Sequence, residues 1–139
     1  MKHNSFDIVV IGGGHAGIEA ALIADHYELS VLLITMDPKA VGRMSCNPAI
    51  GGLAKGQIVR EIDVLGGLMA SLADKAGLQF KTLNKKKGRA VWSPRAQIDK
   101  RYYEKLVVKT LDISNVVVLS GEVVSLLYNG TAIGGVVLR

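Results

Sequence analysis

The sequence holds a single cysteine, Cys46, in 139 residues. That excludes an internal disulfide framework and suits a reducing compartment, so a cytoplasmic protein is expected. No apolar run reaches the ~20 residues that span a bilayer, so no membrane association is expected. The opening residues, MKHNS, are polar and lead straight into an apolar stretch, unlike a secretory leader. No internal repeat and no low-complexity linker interrupts the chain, and no metal site is expected. Apolar residues make up 49% of the composition, enough to build the core of one modest domain.

Acidic residues are also in deficit, 12 against 17 Lys and Arg, and the deficit is local. Residues 81–109 hold ten basic residues against two acids, Asp99 and Glu104, a balance of +8 in a chain whose net charge is +5. Such concentration suggests a polyanionic partner more than general solubility. Lys85, Lys86, Lys87, Arg89 and Arg95, with Trp92, Tyr102 and Tyr103 nearby, suit contact with nucleic-acid phosphates and stacking of a base. A solvated, lysine-rich face is the other reading of the same residues.

What is abundant is glycine, 16 residues, and its placement organises the chain. Phe6–Ile11 reads as a buried strand. Gly12-Gly13-Gly14-His15-Ala16-Gly17 follows, and then an Ala-rich run of helical spacing to Tyr27. This is G-x-G-x-x-G between a strand and a helix, where it has a mechanism. Gly12 permits the tight turn, Gly14 lets a pyrophosphate approach the backbone, and Gly17 lets the helix pack against the strand. Unpaired N–H groups of the first helical turn then face the phosphates. His15 lies inside the motif and reads as helix-start packing or a phosphate neighbour rather than a base. Along the helix, Ala16, Ala20, Ile23, Ala24 and Tyr27 recur at three- and four-residue spacing.

Ser30–Thr35 is an apolar run that reads as a parallel strand covered on both faces. An acid to hold a ribose is expected about 20 residues past the glycines. Asp37 comes slightly late and is read as capping a turn with Pro38. Residues 41–56, VGRMSCNPAIGGLAKG, form a long loop read as a cofactor contact surface. Leu53–Leu65 is an amphipathic helix with Ile58, Ile62 and Leu65 on one face, ended by Gly66-Gly67. A short helix over Leu68–Ala76 stops at Gly77, and Leu78–Leu83 is a strand or extended segment. Asn84–Arg95 is read as a basic loop around Trp92 and Ala96–Leu111 as a helix. Asn115–Leu119 is read as a third apolar strand. Val123–Tyr128 and Ala132–Leu138 flank Asn129-Gly130, a hairpin-turn signal. A doubly wound sheet needs more parallel strands than these three, so the chain reads as a truncated product or an excised fragment.

The stretches HAGIEAA, MSCNPAIGGLAKG, REIDVLGGLMA and VWSPRAQIDK, in this order, resemble the N-terminal part of the tRNA uridine 5-carboxymethylaminomethyl modification enzymes, the MnmG or GidA family. The resemblance covers nearly all 139 residues. It implies an α/β, Rossmann-like FAD-binding fold of the glucose-inhibited division protein A type. It also implies that residues 1–139 are the N-terminal part of an FAD-binding domain, without the rest of the sheet, the NAD and substrate regions and the C-terminal partner-binding region. The implied activity is FAD-dependent addition of a carboxymethylaminomethyl group at C5 of the wobble uridine of tRNA. NADH is the implied reductant and methylenetetrahydrofolate the implied one-carbon donor. Implied partners are tRNA, the GTPase MnmE and a second copy of the protein. The fragment alone is expected to be inactive.

Residue by residue, Gly12, Gly13, Gly14, His15, Ala16 and Gly17 match the pyrophosphate motif. Val123 falls where such flavoproteins contact adenine through backbone groups. Lys85, Lys86, Lys87, Arg89 and Arg95 become the expected tRNA contacts. Arg43 and Arg89 stand where the family more often has Gln and Pro. Uracil C5 is a poor nucleophile until something adds at C6, and Cys46 is the candidate for that addition; the alternative is a small residue filling the loop. Two other functions stay open on the sequence: a folate- and FAD-dependent tRNA uridine C5-methyltransferase, and an inert dinucleotide-binding module.

Overall fold

The computed structural model describes residues 5–44 and 47–139. The backbone divides into two compact units, residues 1–41 with 111–139, and residues 42–110.

The first unit is built on strands β1 (Ile8–Ile11) and β2 (Val31–Thr35), joined by helix α1 (His15–His26). β1 and β2 are parallel, with Ile8 opposite Val31 and Ile11 opposite Ile34. Val31, Leu33 and Ile34 are fully buried, as a parallel strand covered on both faces requires. A third parallel strand, β6 (Val117–Ser120), pairs with β2, giving the order β1-β2-β6. Asp7 and Ser30 latch the strand starts together. The Ser30 hydroxyl and backbone N–H donate to Asp7 Oδ2 at 2.6 and 2.8 Å, and the Asp7 N–H donates to Ser30 Oγ at 2.9 Å. These bonds to the ionised form hold the Asp7 carboxyl below its ordinary pKa.

Helix α1 is turned differently from the expected row. Its buried residues are Ile18, Ala21 and Ala24, while Ala16, Ala20 and Tyr27 are exposed. The helix is apolar on most sides, so spacing alone does not choose the inward face. Strands β7 (Val123–Asn129) and β8 (Ala132–Leu138) form an antiparallel hairpin. Its loop is Gly130-Thr131, one residue later than expected, because Asn129 pairs with Ala132. Gly130 then occupies the first loop position with φ +64°, where hairpin turns favour glycine.

The second unit holds an antiparallel sheet in the order β3-β5-β4 (Ala49–Gly51, Ser93–Ile98, Gly77–Leu83) with helices α2 (Lys55–Val64), α3 (Met69–Ala76) and α4 (Lys100–Asp112), the last crossing the boundary between units. Three expectations are corrected here. The loop over 41–56 contains β3, and a Cβ at Gly51 or Gly56 would meet the Pro94 carbonyl oxygen of β5. The basic loop ends at Trp92, because Ser93–Ile98 is a strand. Ala96 and Ile98 are both buried, a period of two. The helix accordingly begins at Lys100, not at Ala96. Asp99 caps it, accepting from the Tyr102 N–H at 3.0 Å through Oδ1 and from the Tyr103 N–H at 2.9 Å through its carbonyl.

α4 buries Tyr103, Val107 and Leu111 and leaves Arg101, Lys105 and Lys109 exposed. α2 is rotated from its expected face: Gly56 is buried and Val59 and Ile62 half-buried, while Ile58 and Leu65 are exposed. Gly66-Gly67 does end it. The Gly66 and Gly67 N–H groups donate to the Asp63 and Ile62 carbonyls at 2.9 and 2.8 Å, with φ +90° at Gly66.

Candidate functional site

The turn between β1 and α1 assigns each motif glycine a different task. Gly12 has φ +105°, a backbone state that L side chains rarely adopt. Its N–H donates to the Ile34 carbonyl at 2.8 Å, carrying the β1–β2 ladder into the turn. Gly13 is the buried one: a Cβ there would lie 2.9 Å from Thr35 Oγ1 and 3.0 Å from a Val41 methyl. At Gly17 a Cβ would collide with the Gly12 carbonyl oxygen. Gly14 is unlike the other three. It is exposed, its φ of −75° suits any residue, and nothing lies within 4 Å of a Cβ placed on it. The fold itself does not require glycine at this position.

Gly14 is also the N-cap of α1. No side chain caps the helix and no acid stands in its first turn. The positive end of the helix dipole thus lies beside the open space in front of Gly14. These residues fit a dinucleotide pyrophosphate: a glycine facing open space at the start of a helix with no side-chain cap and no acid in its first turn. Burial holds the His15 imidazole below its ordinary pKa of 6.5, with Glu19 acting the other way. His15 therefore adds no positive charge at neutral pH. Asp37 takes the turn role: its Oδ1 accepts from the Lys39 N–H at 2.9 Å, capping the short helical turn Pro38–Ala40. Val123 opens β7, opposite Leu138.

The basic residues lie in the second unit. Lys85–Lys87 and Arg89–Val91 each form a short 3-10 turn, and Trp92 ties the two together. Its indole N–H donates to the Lys85 carbonyl at 3.2 Å, and the Arg89 guanidinium lies 5.7 Å from the centre of its ring. Arg89 thus has a seat on the Trp92 ring. Lys85, Lys86, Lys87 and Arg89 are exposed and Arg95 is half-buried on β5. None of the five makes an ion pair among the described residues. A cleft of about 700 Å³ runs between α2, α3 and the sheet, with Arg60, Asp63, Asp74, Phe80, Lys85 and Arg95 among its walls. The sequence reading missed this cleft, because it depends on β4 and β5 pairing. Cys46 lies outside the described residues. Among the described residues, no cluster of three or more His, Cys, Asp or Glu is placed to hold a metal ion. No helix among them is long and apolar enough to cross a membrane.

The likenesses to known proteins agree with this geometry. The chain is 51% identical over 135 residues to the tRNA uridine 5-carboxymethylaminomethyl modification enzyme MnmG of Sulfurihydrogenibium sp., an alignment covering 95% of this chain and 22% of that protein. The chain thus spans about a fifth of the length of the curated relatives it matches. A crystal structure of Aquifex aeolicus GidA superposes with a TM-score of 0.93 at 46% identity, over 100% of this chain and 23% of that one. The FAD-complexed glycerol-3-phosphate dehydrogenase of Bacillus halodurans superposes over 100% of this chain and 31% of its own at TM-score 0.64 and 20% identity. That last likeness concerns the fold alone, a Rossmann-like α/β fold of the FAD-binding type. The profile of the family described as glucose inhibited division protein A matches residues 7–139. The chain belongs to the glucose inhibited division protein A family.

Proposed function

We propose that this chain is the dinucleotide-holding part of an FAD-dependent tRNA modification enzyme. The complete protein would add a carboxymethylaminomethyl group at C5 of the wobble uridine, in the cytoplasm, as a homodimer working with the GTPase MnmE. NADH and methylenetetrahydrofolate would supply electrons and the one-carbon unit. The observation that carries this reading is Gly14, a glycine the fold does not need, at an uncapped helix N-terminus in front of open space. Support comes from the 51% identity to a relative named as this enzyme.

FAD supplies the redox chemistry when bound. The chain's own residues bind and orient it. Backbone N–H groups from Gly14 to Gly17 would donate to the pyrophosphate, and the Val123 backbone would meet the adenine. Lys85, Lys86, Lys87, Arg89 and Arg95 would meet tRNA phosphates. Cys46 is proposed as the thiolate that adds to uridine C6.

The test is restoration of wobble-uridine modification in a strain lacking its own enzyme, read by mass spectrometry of tRNA nucleosides. The complete protein should restore the modified nucleoside. A C5-methyluridine product, or none, would reject the reading. Cys46→Ser should retain FAD and lose modification; modification at a near-normal rate would reduce Cys46 to a packing residue.

A further inference from the structure

The exposed face of the β4–β5 ladder carries an arrangement that the fold leaves unbalanced. Lys81 stands directly opposite Arg95, and Gln79 directly opposite Gln97. These four residues and Leu83 line one shallow hollow of about 260 Å³. Like charges directly opposite each other on an antiparallel pair are destabilising. No carboxylate offsets them: neither Lys81 nor Arg95 has an ion-pair partner among the described residues. Arg95 and Gln97 are half-buried on β5, so their side chains are less free than surface lysines to swing away. Neither Gln79 nor Gln97 has a side-chain hydrogen bond among the described residues.

We infer that this hollow is a subsite for one nucleotide of single-stranded RNA. Lys81 and Arg95 hold the phosphate, and Gln79 and Gln97 read the base edge. The inference rests on the tRNA reading above and adds Gln79, Lys81 and Gln97 to it. A phosphate between the two cations supplies the missing anion and turns a repulsion into a bridge. A carboxamide presents a donor and an acceptor side by side, which is the pattern on the hydrogen-bonding edges of bases. Same-face positions on a strand are about 7 Å apart, so the cation pair and the amide pair are offset on the scale of one nucleotide. The hollow is smaller than the ~300–1,000 Å³ of sites that enclose a whole ligand, as suits one unit of a longer strand. Recognition of unpaired, splayed bases is the usual route to sequence-specific RNA binding.

The test uses the complete protein and a fluorescein-labelled anticodon stem-loop RNA with uridine, or an abasic site, at the wobble position. Affinity is read by anisotropy across a salt titration. Lys81→Gln, an exposed change, should weaken binding several-fold and reduce the log–log salt slope by about 0.7, the value for one phosphate contact on a single strand. Adding Arg95→Gln should weaken binding further with little more change in slope, because both cations hold the same phosphate, and without lowering the thermal midpoint, because Arg95 has no ion-pair partner among the described residues to lose. Gln79→Leu with Gln97→Leu should leave the slope unchanged and abolish the preference for uridine over the abasic site. If these variants bind as the parent does while Lys85→Ala/Lys86→Ala/Lys87→Ala weakens binding, the subsite is wrong and the tRNA reading stands. If the parent protein does not bind the RNA, both fail.

Discussion

The glycine turn and the basic segment differ in what holds their residues in place. In the turn, three glycines are demanded by the chain itself: Gly12 by its φ of +105°, Gly13 by Thr35 and Val41, and Gly17 by the Gly12 carbonyl. Only Gly14 is not demanded by the chain. In the basic segment nothing internal demands the charges. Lys85, Lys86 and Lys87 are exposed and without ion pairs among the described residues, and Lys81 and Arg95 oppose each other. The turn is one short motif in which the fold demands three glycines and leaves the fourth unexplained by packing. The segment shows charge that the fold tolerates and a polyanion would use.

The sharpest way to break the comparison is inside the turn. Gly17→Ala places a methyl against a backbone oxygen that cannot swing aside, and we expect a loss of about 1–3 kcal/mol or more, as for overpacked cores. A denaturant midpoint indistinguishable from the parent's would show that the helix can shift to make room. The basic segment should behave in the opposite way. Replacing Lys85, Lys86 and Lys87 together by Ala should weaken tRNA binding about tenfold and reduce the log–log salt slope by about one per lost contact. Stability should change by no more than about 0.5 kcal/mol per site, and FAD content should be unchanged. An unaltered salt slope would make the segment a solvated face.

A smaller effect concerns His15. Its folded-state pKa lies below the ordinary 6.5, chiefly through burial. Between the two values the unfolded chain binds more protons than the folded one, so stability rises with pH across that window. Its contribution is complete above about pH 6.5 and is lost as pH falls through that value toward the folded pKa. Thermal midpoints should therefore drop on mild acidification, and His15→Asn should flatten the drop. Equal slopes in parent and variant would show that burial at His15 does not set the dependence. Asp7 titrates lower, since its carboxyl is held below 3.8, and its contribution is lost only as pH falls through its folded pKa.

The same contrast explains what was legible in the sequence. β1, the glycine turn, α1 and β2 follow one another in the chain, and each is fixed by its neighbours. Their order could be read from Phe6 to Thr35, with boundaries one or two residues out. Asp37 as a turn cap was equally local. What could not be read depends on pairing between distant segments. Ser93–Ile98 looked like the end of a loop and the start of a helix, because nothing local announces β3, or that the extended segment at Leu78–Leu83 pairs with it. The inward faces of α1 and α2 were misjudged because apolar residues surround most of α1, and because α2 leaves Ile58 and Leu65 exposed. The Lys81–Arg95 and Gln79–Gln97 juxtapositions were invisible for the same reason, since only the β4–β5 register creates them.

The central claim is that Gly14 serves a ligand and not the fold, and one paired measurement tests it most directly. Gly14→Val in the complete protein should be purified and its bound flavin measured by visible absorbance, with its thermal midpoint beside it. With nothing within 4 Å of the new Cβ, we expect a folded protein that loses about 1 kcal/mol at most, the scale of an altered N-cap, and retains no FAD. Stoichiometric flavin in the folded variant would contradict the claim.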